Sequence, residues 1–200
     1  LNPNVATLSN GNKKVTSTGT SDNTNGISML PCTGKVYFEF EYTTVGTNPS
    51  AGVVETSQAS LFDDYVGGGS YSWGWHLVDG DLYNSGSVSA STPGTLAVNT
   101  RGCIAVDTAT GKLWTGQLSG STITWDNSGD PAAGSNPITS SIPTSTTWSV
   151  AVSGRNSCAI SLFTTSTDFE ASNIPSAYKA VNLSNFSSPS ESDPFEYFEA

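Results

Sequence analysis

An all-β fold, a two-sheet antiparallel sandwich with an extended C-terminal tail, is what this sequence predicts. Three observations predict it. Apolar and aromatic residues recur at every second position in short runs, turn residues separate those runs, and no capped segment of helical period occurs before residue 165. The organising stretch is Arg101 to Trp114, RGCIAVDTATGKLW. Ile104 and Val106 point one way and Cys103 and Ala105 the other, and the run from Asp107 to Gly111 turns the backbone. Asp107 can accept from amides just downstream, and Gly111 tolerates positive φ. Such a hairpin is stable only within a larger sheet.

The other strands follow in order. Ala6 to Thr16 reads as an edge hairpin around Asn10-Gly11, a pair suited to a type I′ turn. Lys35 to Tyr42 alternates most cleanly: Val36, Phe38, Phe40 and Tyr42 share the core face, and Tyr37, Glu39 and Glu41 share a face expected to be wet. Ala51 to Glu55 is a further short strand. Leu61 to Gly69 (LFDDYVGGG) reads as a flexible, exposed loop. Tyr71, Trp73, Trp75 and Leu77 then line one face, and Asp79-Gly80 turns the chain into Leu82-Tyr83. Ile123 to Trp125 is extended and leads into a long loop, Asp126 to Pro137. Trp148, Val150 and Val152 share a face, and Cys158, Ile160 and Leu162 close the sandwich. The sandwich is assigned to residues 1–167. Residues 168–200 are an increasingly acidic tail, expected to pack over the sandwich and lead to a following module.

Bulk properties exclude several classes. Seven Lys+Arg against 17 Asp+Glu give a formal charge of −10, and the only basic pair is Lys13-Lys14, so nucleic acid is not an expected partner. No stretch approaches the ~20 apolar residues of a membrane span, so membrane insertion is not expected. No signal-peptide pattern is visible, and the chain starts at Leu1, as a processed or excised piece of something longer would. Cys32, Cys103 and Cys158 lack zinc-site spacing and read as buried small hydrophobes of a reducing compartment, with one bridge plus a free thiol as the alternative. No cofactor is expected.

The ordered set GKVYFEFEY (34–42), YSWGW…DGDLYNSG (71–86), RGCIAVDTATGKLW (101–114), WDNSGDPAAGSNP (125–137), WSVAVSGRNSCAISLF (148–163) and PSAYKAVNLSNF (175–186) resembles the SPRY domain as found in bacteriophage structural proteins. One departure is Leu162-Phe163-Thr164, where that family closes with Asn-Phe-Gly. The resemblance implies a bent, concanavalin-like sandwich whose loops bind proteins or glycans without catalysis. It also implies a place on the surface of a virion assembled in the host cytoplasm, in a tail fibre, head fibre or decoration protein. Partners would be other virion proteins or a host-surface protein or glycan, and fibre analogy implies a trimer.

The expected recognition residues lie in loops 61–72 and 125–137: Asp63, Asp64, Tyr65 and Tyr71, then Trp125, Asp126, Asn127 and Asp130. Rings at loop borders can stack on a sugar or anchor a protein contact. Two other readings compete. The domain could be an architectural spacer or assembly contact. It could also be a glycan-cleaving enzyme, because Glu39 and Glu41 project from one strand face roughly 7 Å apart and a retaining pair needs about 5–5.5 Å. The E-x-D-x-E pattern of concanavalin-like glycosidases is absent, and a solvated strand face is the commoner meaning of such a pair. His76 is the single histidine, with no second ligand near it in sequence. Asp126, Ser128 and Asp130 occupy the first, third and fifth positions of a calcium loop. Pro131 and Pro137, however, stand where glycine and the bidentate Glu are required, so the stretch reads as a turn-rich loop.

Overall fold

A computed structural model describes residues 6–9, 14–17, 24–61, 64–163, 166–172 and 174–181. Asp63 and the acidic end, Glu191 to Glu199, lie outside the described residues. Among the described residues there are fourteen strands: β1 (Ala6–Ser9), β2 (Lys14–Ser17), β3 (Thr24–Cys32), β4 (Lys35–Thr44), β5 (Thr47–Glu55), β6 (Ser72–His76), β7 (Asp81–Asn84), β8 (Ser87–Ala90), β9 (Thr100–Asp107), β10 (Lys112–Ser119), β11 (Thr122–Trp125), β12 (Trp148–Arg155), β13 (Ala159–Phe163) and β14 (Lys179–Ala180). Helix among the described residues is confined to short 3₁₀ turns at Thr56–Leu61, Asp126–Ser128 and Ser166–Asp168.

One sheet runs β1-β2-β13-β4-β9-β10-β11 and the other β3-β12-β5-β6-β7-β8. All pairings are antiparallel except that of β14, which lies parallel to the start of β4, with Lys179 opposite Val36. It takes up the space beside β4 beyond the end of β13, whose last partner is Glu39. The organising hairpin forms as its residues dictate. Asp107 Oδ1 accepts from the Ala109 amide at 3.1 Å, and Gly111 sits at φ 69°.

Between the sheets, Val36, Phe38, Phe40 and Tyr42 of β4 and Ile104 and Val106 of β9 meet Val53, Trp73, Trp75, Val150 and Val152. Phe40 and Trp75 join the layers edge to face, centroids 5.7 Å apart. Period-two alternation placed these side chains correctly. All three cysteines are buried free thiols.

The second face of β4 is not wet. Tyr37 and Glu39 are both 0% exposed. Tyr37, Cys103, Ala105, Trp114 and Leu118 form a second apolar layer on the outside of this sheet, and Tyr178 completes it, with Phe169, Ala171 and Ile174 packed against it. Residues 166–172 and 174–178 thus cap the outer face. Phe169 stands edge-on to Tyr37 at 5.1 Å and Tyr178 edge-on to Trp114 at 6.4 Å.

Glu39 clasps this cap. Its Oε1 accepts from the Tyr37 hydroxyl (2.9 Å) and the Ala171 amide (3.1 Å); its Oε2 accepts from Arg101 Nη1 (2.9 Å) and the Glu170 amide (2.8 Å). Arg101 also donates to the Asp168 carbonyl at 2.8 Å, pairs with Glu170 at 3.3 Å and lies 3.9 Å over the Phe163 ring. A buried carboxylate is tolerable only when its lone pairs are answered in this way.

The outside of the other sheet is covered too, so the loop expected to be flexible and exposed is pinned where it is described. Val66 is fully buried against Val54 and Ala151. The Val66 amide donates to Ser153 Oγ and the Gly67 amide to Ser72 Oγ, at 2.8 and 2.9 Å. Ala151, Gly52 and Gly74 are cross-strand neighbours on that outer face. A Cβ on Gly74 would collide with the Val66 carbonyl, so the small residue is what lets residues 64–71 lie flat as a strap.

Two strands carry no clear period-two signal. β3 contains Gly26 and Pro31, and it is an edge strand, where a missing backbone donor is tolerated. β8, Ser-Val-Ser-Ala, is the short strand at the opposite edge of the same sheet.

Candidate functional site

The strap and β6–β8 build a surface group from residues that the chain brings together locally. Tyr83 pairs across the sheet with both Gly74 and Val88, so all three share the outer face. Tyr65, at the start of the strap, packs edge-to-face with Tyr83 (6.2 Å), and so does His76 (5.7 Å). The Asp79-Gly80 turn sets Asp79 beneath them. Its Oδ2 lies 2.8 Å from His76 Nδ1 and accepts from the Tyr83 hydroxyl at 3.0 Å, while Oδ1 accepts from the Asp81 amide at 3.0 Å. Burial works against the Asp79 charge, but the Asp81 amide, His76 and Tyr83 together hold its carboxyl below the usual value. Partial burial and that same carboxylate push Tyr83 up to about 12. Tyr65 is raised by burial and by the Asp64 and Asp79 charges. Val88 is 47% exposed and Val78, in the turn, 55%. The result is a fixed aromatic and aliphatic patch ringed by Asp64, Asp79 and Asp81.

Of the residues expected from sequence, Asp64 and Tyr65 belong to this patch. Asp64 Oδ1 accepts from the Tyr65 amide at 2.8 Å. Tyr71 is half-buried and packs with Val54, Val66 and Ala151 beneath the strap. From sequence His76 stands without a partner, and Asp79, Tyr83 and Val88 are not singled out as site residues. His76 has an orienting carboxylate three residues on, across a tight turn, and the Asp-Gly turn signal was the clue to it.

The 125–137 residues lie elsewhere. Trp125 packs edge-on to Tyr37 at 6.4 Å, outside the eight-stranded sheet, whereas the strap covers the outside of the six-stranded one. The sandwich separates the two loops, so they do not make one recognition surface. Asp126 is a buttress: its Oδ2 accepts from Thr115 Oγ1 at 2.6 Å, and burial, partly offset by Thr115 and the Gly94 amide, raises its pKa. Asn127 stands at φ 55°, its amide donating to the Pro137 carbonyl at 3.4 Å. Asp130 Oδ1 accepts from the Ala133 amide at 3.0 Å, and its backbone exchanges two hydrogen bonds with Ser135. These are the turn-stabilising bonds of a polar loop. Among the described residues no group of three or more His, Cys, Asp and Glu could hold a metal ion.

Glu39 and Glu41 do not form a catalytic pair. Glu39 is sealed beneath residues 168–171 with four donors on its two oxygens, and Glu41 is only half-buried, across the sheet from Arg101. A general acid or nucleophile must reach a substrate, and Glu39 reaches none.

The sequence matches no protein-family model and no curated protein. Solved structures do match. The SPRY domain of human HERC1 aligns with TM-score 0.57 at 13% identity, over 79% of this chain and 91% of that one. A human SPRY domain aligns with TM-score 0.53 at 17% identity, over 78% and 93%. The fold is that of a SPRY domain. Stonustoxin aligns with TM-score 0.53 at 17% identity, over 80% of this chain but 25% of its own. At these identities the likeness is one of fold. Within this SPRY fold the chain presents two separate exposed places built from fixed elements: the Tyr65–Tyr83–Val88 patch, and the surface beside Trp125.

Proposed function

We propose that this chain is a non-enzymatic binding module of a bacteriophage virion protein, displayed on the particle, and that it engages a protein partner through the patch of Tyr65, Tyr83 and Val88. The observation that carries the reading is that two partly exposed tyrosine rings and the exposed Val88 are held there, Tyr65 on a strap pinned by Ser153 and Ser72 and packed against Tyr83. Rigid tyrosines lose little entropy on binding and are favoured at interface centres. The encircling Asp64, Asp79 and Asp81, in a chain of formal charge −10, favour a partner with a basic face. The virion setting is supported by the ordered motifs from GKVYFEFEY to PSAYKAVNLSNF; the partner there is a neighbouring virion protein or a host-surface receptor.

The test is a Tyr65→Ala, Tyr83→Ala, Val88→Asp variant of the full chain, built into the particle. Host adsorption and the variant's retention in particles are measured, with a thermal melt to confirm folding. Loss of adsorption or retention by a folded variant supports the reading. Wild-type behaviour in both assays overturns it.

A further inference from the structure

Beside Trp125, at the seam between β11 and the C-terminal cap, lies an open depression of about 340 Å3. We infer that it is a saccharide subsite, taking one or two neutral sugar rings against Trp125 and Asp130. This rests on residues of the opposite face from the protein-binding patch and stands or falls independently of it.

The walls are built. The Ser172 amide donates to the Ser121 carbonyl at 3.3 Å, closing the seam. Asp130 and Ser135 exchange hydrogen bonds of 3.1 and 3.0 Å, which fixes the far side, where Pro131 is buried. Trp125 is held by the edge of Tyr37 and lies above Gly116, where a Cβ would come within 3.0 Å of the indole. Its ring is therefore positioned before any ligand arrives, while remaining only half-buried.

The free groups match a sugar. Of the other tryptophans, Trp75, Trp114 and Trp148 donate their indole N–H to the carbonyls of Gly94, Ser135 and Pro143, at 2.9, 2.8 and 3.0 Å, while the Trp73 N–H is buried, away from solvent and without a partner among the described residues. The Trp125 N–H makes no such bond among the described residues, and Trp125 lines the depression. Asp130 commits one carboxylate oxygen to Ala133, and its other makes no hydrogen bond among the described residues. Ser121 and Thr122 are exposed at the rim. A pyranose offers an apolar C–H face and a ring of hydroxyls that both donate and accept. An aromatic plate with a free donor, an anionic acceptor and two hydroxyls answers both. The volume lies at the low end of the ~300–1,000 Å3 typical of ligand sites. Asp130 and the overall charge disfavour sialylated or uronic sugars and phosphate.

The experiment is a 15N–1H spectrum of the intact chain, which carries five indole signals, one for each tryptophan. Neutral oligosaccharides based on glucose, galactose, mannose and N-acetylglucosamine are titrated to tens of millimolar, with a sialylated oligosaccharide and a polyproline peptide as the other arms. The Trp125 signal, identified by its loss in Trp125→Phe, should move with at least one neutral sugar while the other four stay. Asp130→Asn should weaken that binding about tenfold. Ala132→Arg, at an exposed position on the rim, should fill the depression and abolish binding while leaving the Tyr37–Trp125 packing intact. The inference is overturned if no neutral sugar moves the Trp125 signal, if Ala132→Arg binds as the wild type does, or if only the sialylated or polyproline probe binds.

Discussion

Replacing Glu39 with Gln tests the clasp that seals the outer face of the larger sheet. The carboxylate is 0% exposed and accepts four hydrogen bonds, one of them in its ion pair with Arg101. Glutamine keeps the shape but turns one acceptor oxygen into a donor, which then faces two donors. Those are Tyr37 and Ala171 in one orientation, or Arg101 and Glu170 in the other. Hydrogen bonds to a charged group contribute about 1.5–3 kcal/mol each, and breaking a buried pair by removing one partner costs about 3–5 kcal/mol. These overlap, so the expected loss is about 3–5 kcal/mol rather than their sum. Against a total of about 5–15 kcal/mol for a domain, that is a large fraction. The loss should be partly local, because two of the four donors are backbone amides of the cap. Urea unfolding should show the lower stability, and hydrogen exchange should show the Glu170 and Ala171 amides losing protection before the core strands. Glu41→Gln, on a half-buried residue of the same strand face, should stay within about 0.5 kcal/mol. A Glu39→Gln variant as stable as the wild type, with both amides still protected, would refute the account of the clasp.

Two further outcomes follow from the same geometry. Gly74→Ala places a methyl group against the Val66 carbonyl and should destabilise the fold by about 1–3 kcal/mol in urea, with the strap amides of Val66 and Gly67 exchanging faster. Asp126 has a folded pKa raised above its unfolded value, so the stability it contributes is complete below the unfolded pKa and is lost as pH rises through the folded one. Asp126→Asn should remove that part of the pH dependence, so melting temperatures measured from acid to neutral pH should fall less for the variant than for the wild type.

The interior was legible because alternation reports one property well: which side chains share a face. It does not report how many layers lie beyond each face. Glu39 and Glu41 made the second face of β4 read as wet, yet Tyr37 at the same parity, and Cys103, Ala105 and Trp114 on neighbouring strands, are apolar. Their cover comes from Phe169, Ile174 and Tyr178, about 130 residues further along, in a stretch with no periodicity of its own. Glycine misled in the opposite direction. Gly67-Gly68-Gly69 suggested mobility, whereas a Cβ on Gly68 would strike the Asp64 carboxylate and one on Gly69 the Tyr71 ring, at 2.6 Å. These glycines mark close packing. Of the candidate site, Asp64, Tyr65, Trp125 and Asp130 could be found from loop chemistry. Val88 could not, because its meaning depends on the pairing of β7 with β8, and His76 was legible only through the Asp79-Gly80 turn that brings its carboxylate partner back to it.

Covering both outer faces with the chain's own segments has a functional consequence. A sandwich with two bare faces would have broad flat surfaces for partners. Here residues 166–172 and 174–178 occupy one face and residues 64–71 the other, each tied down by buried polar contacts. Partly exposed rings stand at the margins of those covers: Tyr65 at the start of the strap with Tyr83 beside it, and Trp125 near the cap. Each ring is packed on one side and only half-buried, Tyr83 against Tyr65 of the strap and Trp125 against Tyr37 and Gly116, so it is oriented in advance of any ligand. Preorganisation of this kind lowers the entropy lost on association. It also makes each margin sensitive to its support, because loosening the strap at Gly74 frees Tyr65, and disturbing Glu39 disturbs Tyr37, which bonds its carboxylate and packs against Trp125. Binding at the Tyr65–Tyr83 patch should therefore weaken in Gly74→Ala and persist in Glu39→Gln, whereas saccharide binding at Trp125 should show the reverse pattern.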